Sequence, residues 1–148
     1  MPIIEAGFIN DDGKPDPNAL VRFGPTIQVF VGHLKSVGSS NSVTDEFVHA
    51  LIDTGATESC IDISLAQKLE LPAVDRITIS GVGGAKIHDV YMAQIHIPQL
   101  NFTQYGKFAG VQLAGGGQQH YALLGRTFLQ GTIMIYDGIR GQITVTTS

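Results

Sequence analysis

An aspartate directly follows a run of apolar residues, in the segment Asp53-Thr54-Gly55-Ala56 after residues 48–52. The apolar run predicts a buried strand, so the carboxylate of Asp53 stands where a strand opens into a turn. A carboxylate among apolar neighbours loses hydration unless donors or a second ionisable group compensate, and such perturbed groups cluster at functional sites. Asp53 is therefore the first candidate for general acid–base chemistry, and an ordinary Asp-initiated turn is the alternative interpretation.

Three other sequence patterns are weaker evidence of a functional site than Asp53 is. The glycines at 81–84 are followed by Lys86 where a dinucleotide-binding loop needs its last glycine, and a strand follows in place of a helix. Cys60 is the only cysteine, and its apolar neighbours favour a small buried hydrophobe over a thiol nucleophile. His88 and His96 lie on one predicted strand about 26 Å apart, too far to chelate one metal. The sequence therefore predicts no nucleotide, thiol or metal site.

The composition is that of a single globular domain. The 148 residues are 43% hydrophobic and 15% charged, with a net charge of −4. The nine Lys and Arg residues are scattered, so no basic stripe is present to bind a nucleic-acid backbone. No secretion signal opens the sequence, and no apolar stretch approaches the length of about 18 residues that a membrane span needs. We therefore expect a cytoplasmic protein with neither nucleic acid nor membrane as a partner.

Short strands dominate the predicted secondary structure. Apolar runs and alternations predict strands over residues 26–31, 47–52, 77–80, 86–97, 120–124, 132–136 and 142–146. Ser64 caps one or two helical turns that end before Pro72, and residues 125–130 have the pattern of a second short helix. Many short strands with one or two short helices indicate an all-β barrel or sandwich.

The N-terminal region differs from the rest of the chain. Residues 1–24 are rich in turn-forming residues and predict an arm, although Ile3 and Ile4 have the pattern of an edge strand. The folded body is then one domain over residues 25–148.

The remaining turn formers predict loops and one hairpin. Residues 35–46 and 115–117 are rich in Ser, Asn or Gly and are predicted loops. The glycines at 81–84 predict a hairpin turn, in which we expect Gly83 to adopt a positive φ.

A weak internal repeat connects two of the predicted strands. Ala50-Leu51-Ile52-Asp53 and Ala122-Leu123-Leu124-Gly125 are both apolar triplets that end at a small or acidic turn residue. Four loosely matched positions also arise by chance, so a structural repeat and a chance match both remain open.

Three segments of the sequence, taken together and in this order, resemble the pattern of a known family. They are Ala50-Leu51-Ile52-Asp53-Thr54-Gly55-Ala56, Ile79-Ser80-Gly81-Val82-Gly83-Gly84 and Leu123-Leu124-Gly125-Arg126. Together they resemble the retropepsins, the single-domain aspartic proteases of retroviruses and their cellular and bacterial relatives. The resemblance extends from about Thr26 to Val145. It implies an acid-protease fold, a closed β-barrel with one or two short helices, and the hairpin pattern of residues 132–146 is closer to the cellular and bacterial branch.

The resemblance implies an aspartic endopeptidase that acts as a homodimer on peptide or protein substrates without a cofactor. Asp53 corresponds to the catalytic aspartate and Thr54 and Gly55 to its support. The chain has one Asp-Thr-Gly segment, so a second copy would supply the second aspartate. The substrate-binding residues that the resemblance implies are Leu51, Ala56, Thr57, Glu58, Gly81, Val82, Gly83, Tyr121 and Leu123.

Two questions stay open at this stage. Thr57 stands where the retroviral enzymes have an acidic residue, so the partner of Arg126 is undetermined, with Glu58 or the second chain as candidates. A peptide-binding module that has lost turnover is the alternative function, and a purely structural domain is a third. The intact Asp53-Thr54-Gly55 segment favours the enzyme, and a structural domain has no need of the glycine-rich hairpin.

Overall fold

The computed structural model describes residues 2–34, 46–114 and 119–147. The predicted loops at 35–46 and 115–117 lie outside these ranges, except for Glu46. The elements in chain order are β1 (Ile3–Ala6), α1 (Pro17–Phe23), β2 (Thr26–Gly32), β3 (Glu46–Ile52), β4 (Cys60–Asp62), α2 (Ile63–Lys68), β5 (Ala73–Gly81), β6 (Gly84–Ile97), a 3-10 turn (Pro98–Leu100), β7 (Phe102–Val111), β8 (Ala122–Leu124), α3 (Arg126–Leu129), β9 (Thr132–Asp137) and β10 (Gln142–Thr147).

Seven strands form a sheet that closes on itself. Their order is β2-β3-β8-β4-β7-β6-β5, and β2 also pairs with β6, so six of the strands form a ring. β5 and β6 continue beyond the ring as a long hairpin whose tip is formed by Val82 and Gly83. The architecture is thus all-β with short helices, as the sequence predicts.

The weak repeat marks two strands that lie side by side. β3 and β8 are parallel, and Ala50 pairs with Ala122, Leu51 with Leu123 and Ile52 with Leu124. The N–H of Asp53 then donates to the carbonyl of Leu124 at 2.8 Å, which extends the pairing by one residue. Both copies of the pattern therefore end at the same edge of the sheet.

A second sheet, of order β1-β10-β9, is formed near the two ends of the chain. β1 is the edge strand that Ile3 and Ile4 indicate. The inner face contributes Ile4, Ile143 and Val145 to the core. The outer face exposes three isoleucines, at 52%, 67% and 57% of their surface, namely Ile3, Ile133 and Ile135.

Three elements are absent from the sequence prediction, namely the short strand β4, the helix α1 and the strand β7. α1 forms within the turn-rich N-terminal segment because Asp16 caps it, accepting from the N–H of Asn18 at 2.9 Å, and because Leu20 is buried in the core. β7 is not predicted as a strand, since glycines and a lysine interrupt its apolar residues. It forms because it lies between β4 and β6 and pairs with both, a case of tertiary context overriding local preference.

Within the described ranges, no helix has the length and apolar character that crossing a membrane requires.

Candidate active site

The turn after β3 holds Asp53 half-buried at the edge of the sheet. Its Oδ1 atom accepts from the N–H of Gly55 at 2.9 Å, and its carbonyl oxygen accepts from the N–H of Ala56 at 3.2 Å. Together with the bond from its own N–H to Leu124, these contacts fix the backbone on both sides of the carboxylate. The orientation of Asp53 is therefore set by the turn and by the parallel strand pair.

Arg126 braces the same turn from the segment after β8. Its Nη1 donates to the carbonyl of Thr54 at 2.8 Å, and its Nη2 donates to the Thr57 hydroxyl at 2.9 Å. Its backbone N–H also donates to the carbonyl of Ala56 at 2.8 Å. Neither Glu58 nor another carboxylate among the described residues pairs with this guanidinium. Among the described residues, the Arg126 guanidinium therefore donates to a hydroxyl and a carbonyl oxygen rather than to a carboxylate.

Gly125 permits the close approach between these two segments. A Cβ atom at this position would lie 2.5 Å from the carbonyl oxygen of Glu58 and 2.9 Å from that of Thr57. The N–H of Gly125 also donates to the Ser59 hydroxyl at 3.1 Å. A larger residue would push residues 57–58 away, and the bonds from Arg126 would lengthen with them.

An open cleft of about 700 Å³ lies over the Asp53 turn. Of the predicted site residues, Leu51, Asp53 and Thr54 line it. The other lining residues are Arg22, Phe23, Gly24, Pro25, Ile52, Gln119, His120, Met134 and Tyr136. The sequence does not single these out, because α1 and β9 are brought to the cleft by tertiary packing. The alternation of Met134 and Tyr136 in a predicted strand shows that they share a face, but not which face lies toward Asp53.

The other predicted residues lie around this cleft or away from it. Leu123 is half-buried beside Leu51, while Thr57 and Glu58 continue the turn after Ala56 and are exposed. Tyr121 lines a separate pocket of about 190 Å³. Gly81, Val82 and Gly83 are exposed at the hairpin tip and do not line the cleft. Their roles in binding stay predictions.

The glycine with the special backbone conformation in the hairpin is Gly84. Its φ is +97°, whereas Gly83 has no positive φ. The expectation for Gly83 is therefore wrong by one residue. The two hairpin strands end at the paired residues Gly81 and Gly84, so the strained position falls at the first residue of β6 rather than inside the two-residue loop.

The environment of Cys60 disfavours a thiol nucleophile. Burial first, and then the negative charges of Asp53 and Glu58, raise the pKa of its thiol. The reactive thiolate is therefore scarce at neutral pH, which argues against thiol catalysis beside Asp53. Within the described ranges, no three His, Cys, Asp or Glu side chains cluster as metal ligands.

The sequence matches a protein family over the segment that contains this site. The family is described as "gag-polyprotein putative aspartyl protease", and the match covers residues 40–131, more than half of the chain. The chain belongs to this family. The matched segment contains the Asp53 turn, the glycine-rich hairpin and the Gly125-Arg126 brace, the three features on which the resemblance to retropepsins rests.

Two solved structures are similar to this fold. A retropepsin-like aspartic protease from Rickettsia conorii matches with a TM-score of 0.53 and 17% identity, over 98% of this chain and 90% of that chain. EIAV protease complexed with the inhibitor HBY-793 matches with a TM-score of 0.47 and 21% identity, over 72% of this chain and 85% of that chain. No curated protein matches the sequence. The expected retropepsin-like fold is confirmed by the Rickettsia structure.

Proposed function

We propose that the protein is an aspartic endopeptidase in which Asp53 is the catalytic residue. The observation that carries this proposal is the position of Asp53 at the end of the parallel β3–β8 pair, under an open cleft and braced by Arg126. Membership of an aspartyl protease family supports the same reaction class. The catalytic domain would comprise residues 25–148, with residues 1–24 as the arm.

The chemistry needs two carboxylates that share one proton. Two ionised carboxylates about 3 Å apart repel by roughly 5 kcal/mol at an effective dielectric constant of 20, so one of them holds a proton. The ionised carboxylate removes a proton from a water molecule as its oxygen attacks the scissile carbonyl, and the protonated one donates to the carbonyl oxygen. The tetrahedral intermediate then breaks its C–N bond as the first carboxyl group gives the amine the proton that it took from water, and a hydroxyl of the intermediate returns a proton to the second carboxylate. No covalent enzyme intermediate and no cofactor take part.

A second copy of the chain would supply the second carboxylate. The candidate alternative within the chain, Asp137, is used as a turn residue, since its Oδ1 accepts from the N–H groups of Ile139 at 3.1 Å and Arg140 at 2.9 Å. A twofold axis brings the same residue of two copies face to face, which is the relation that two Asp53 side chains require. Ile133 and Ile135, exposed on the face of the edge strand β9 opposite to Met134 and Tyr136, offer an apolar surface for contact between the copies.

The remaining predicted residues would position a peptide or protein substrate. Thr54 and Gly55 support the catalytic turn, and the exposed hairpin tip at Gly81, Val82 and Gly83 would close over the bound peptide and exclude water. Leu51, Ala56, Thr57, Glu58, Tyr121 and Leu123 would contribute the binding surface.

The decisive experiment compares Asp53→Asn with Asp137→Asn in hydrolysis of a mixed peptide library. The amide that Asp53→Asn introduces is nearly isosteric with the carboxylate but is no base, so we expect a loss of about a thousandfold in kcat/KM, while Asp137→Asn retains activity. Activity of Asp53→Asn within about tenfold of the parent, a change of only about 1.4 kcal/mol in the barrier, would overturn the proposal. A parent protein that binds a statine-type transition-state mimic but hydrolyses nothing would instead establish the silent binding module.

A further inference from the structure

Four aromatic rings join the N-terminal arm to the body of the protein. The ring of Phe8 packs on that of Phe23 with centroids 4.5 Å apart, and it meets the rings of His49 at 5.6 Å and His120 at 6.3 Å. Phe8 and Phe23 belong to the arm, whereas His49 lies on β3 and His120 precedes β8. We call these four residues the arm seam. Its body side consists of two titratable rings.

The hydrogen bonds of His120 determine where its proton lies. The Thr26 hydroxyl donates to the carbonyl of Gly24 at 2.9 Å, and its oxygen lies 2.8 Å from Nε2 of His120. Because the hydroxyl has one hydrogen, Nε2 must be the donor of the second bond. Nδ1 is then a bare acceptor, and it is buried with no hydrogen-bond partner among the described residues. A proton added at Nδ1 would have no acceptor.

The charged and titratable groups on the elements near His120 are Arg22, Asp53, Glu5 and His49. Arg22 on α1 places its guanidinium 5.1 Å from the Phe23 ring, and it lines the same cleft as His120 and Asp53. Glu5 lines a cavity of about 150 Å³ beside His49, at the junction of the arm and β2. Burial first, and then the charge of His49, lower the pKa of His120 to about 4. The surroundings thus favour the neutral ring.

We propose that the arm seam is an acid-sensitive joint, in which protonation of His120 loosens residues 7–24 from the body. The charged ring would have to break its contact with Phe8 or with Thr26 to reach an acceptor or water. Because Arg22, Phe23 and Gly24 line the Asp53 cleft, loosening would widen the cleft on the side of the arm. The consequence for catalysis rests on the proposed function, whereas the movement of the arm does not.

The opening is limited on one side because β1 remains paired with β10, so the movement begins after Ala6. Leu20 of α1, 1% exposed in the docked form, opposes the opening because it leaves the core when α1 moves. The coupling is nevertheless large. For a ring that titrates at 6.5 when free and at about 4 when docked, lowering the pH from 6.5 to 4.5 shifts the docking equilibrium toward the open form by about fortyfold.

Hydrogen exchange of the α1 amides measures the joint directly. The reporters are the N–H groups of Leu20, bonded to Asp16 at 2.9 Å, and of Gly24, bonded to Leu20 at 2.8 Å. The protein used is Asp53→Asn, which removes self-digestion and makes the result independent of catalysis. After correction for the chemical exchange rate, we expect exchange at both amides to rise by at least about tenfold between pH 6.5 and 4.5, while amides of β6 and β7 stay protected.

Two variants in that background distinguish the joint from general acid instability. His120→Gln keeps a donor near the position of Nε2 but does not titrate, so the increase should fall below about twofold. The matched control is His96→Asn, since His96 also binds a threonine hydroxyl, that of Thr103 at 2.7 Å, but lies outside the seam. It should behave like the parent. An increase that persists in His120→Gln, or that is absent from the parent, would overturn the proposal.

A measurement without a variant at the seam covers the case in which His120→Gln does not fold. The ring resonances of His120 and the α1 amides are followed by NMR across the same pH range. The arm amides should lose protection with the midpoint of the His120 titration. A ring that titrates with no change in the arm, or an arm that opens while the ring stays neutral, would equally refute the joint.

Discussion

Nη2 of Arg126 donates to the Thr57 hydroxyl at 2.9 Å, so the acceptor of this guanidinium group beside the Asp53 turn is a neutral oxygen. The other terminal nitrogen holds the carbonyl of Thr54 at 2.8 Å. One side chain therefore holds the backbone of Thr54 and the side chain of Thr57, the residues on either side of Gly55 and Ala56. Because a charged donor strengthens a hydrogen bond, this grip holds the turn in place without an ion pair.

Removing the guanidinium should damage both stability and activity. Arg126→Met loses both bonds, and we expect a fall of about 2 kcal/mol in the free energy of unfolding, measured in urea. The catalytic turn also loses its brace, so kcat should fall more than stability alone explains. Arg140→Met is the matched control, because Arg140 is exposed and lies 3.8 Å from Asp137 in a surface pair. Equal unfolding curves for the two variants would contradict the bracing role.

The hairpin tip allows a test of backbone strain free of packing effects. Neither Gly83 nor Gly84 has an atom within 4 Å of the position of an added Cβ, but only Gly84 has a positive φ, of +97°. Gly84→Ala should therefore cost about 1 kcal/mol in hairpin stability and lower kcat/KM through poorer closure. Gly83→Ala should leave both quantities near the parent values. Indistinguishable kinetics for the two alanine variants would mean that the conformation of Gly84 has no bearing on catalysis.

The sequence predicts the placement of the Asp53 turn well because that placement is local. A buried strand, a turn-forming Asp-Thr-Gly and a second apolar triplet are each read from contiguous residues, and the structure pairs the two triplets in register. The Gly125-Arg126 segment is also found from sequence. Its hydrogen-bond partners are not: the sequence offers Glu58 or a second chain, whereas the structure gives the Thr54 carbonyl and the Thr57 hydroxyl, because the partner depends on where a long side chain reaches.

The periphery of the site cannot be predicted in the same way. Arg22 and His120 are almost a hundred residues apart in the chain and line one cleft only because the arm packs against the body. No periodic pattern of apolar residues in the sequence predicts such a contact between remote segments. His120 is buried and contacts Phe8 and Thr26, which are remote from it in the chain, so nothing in its sequence neighbourhood predicts its environment.

The outer face of β9 gives a test of the homodimer. Ile135→Lys places a charge on the exposed apolar edge strand next to the cleft, and we expect the protein to sediment as a monomer and to lose hydrolysis. The control is Ile87→Lys on β6, where an isoleucine of 74% exposure lies outside this sheet. It should leave the sedimentation coefficient unchanged. An active monomer of Ile135→Lys would end the claim that two copies form the site.

Asp62 is a buried carboxylate whose contacts join three segments. Its side chain accepts from the N–H groups of Leu113 at 2.9 Å, Ala114 at 3.0 Å and Leu65 at 3.2 Å, and from the Ser64 hydroxyl. Burial acts to raise the pKa of Asp62, but the bonds from Ser64 and the three N–H groups outweigh it, so the pKa lies below its usual value. The carboxylate caps α2 and anchors the residues after β7.

The lowered pKa of Asp62 has a definite consequence for acid stability. The unfolded chain binds a proton at this residue more readily than the native protein, so the stabilisation is complete above the ordinary value of about 4 and is lost as the pH falls toward the native pKa. Asp62→Asn should lower the free energy of unfolding by about 2 kcal/mol at pH 7. An amide nitrogen cannot accept from the N–H groups that donate to the carboxylate. The free energy of unfolding should also decline less steeply between pH 5 and 3 than in the parent. Asp75→Asn is the control, since Asp75 is exposed and lies 3.9 Å from Lys107. Parallel pH dependences for the parent and Asp62→Asn would show that this carboxylate does not contribute to acid unfolding.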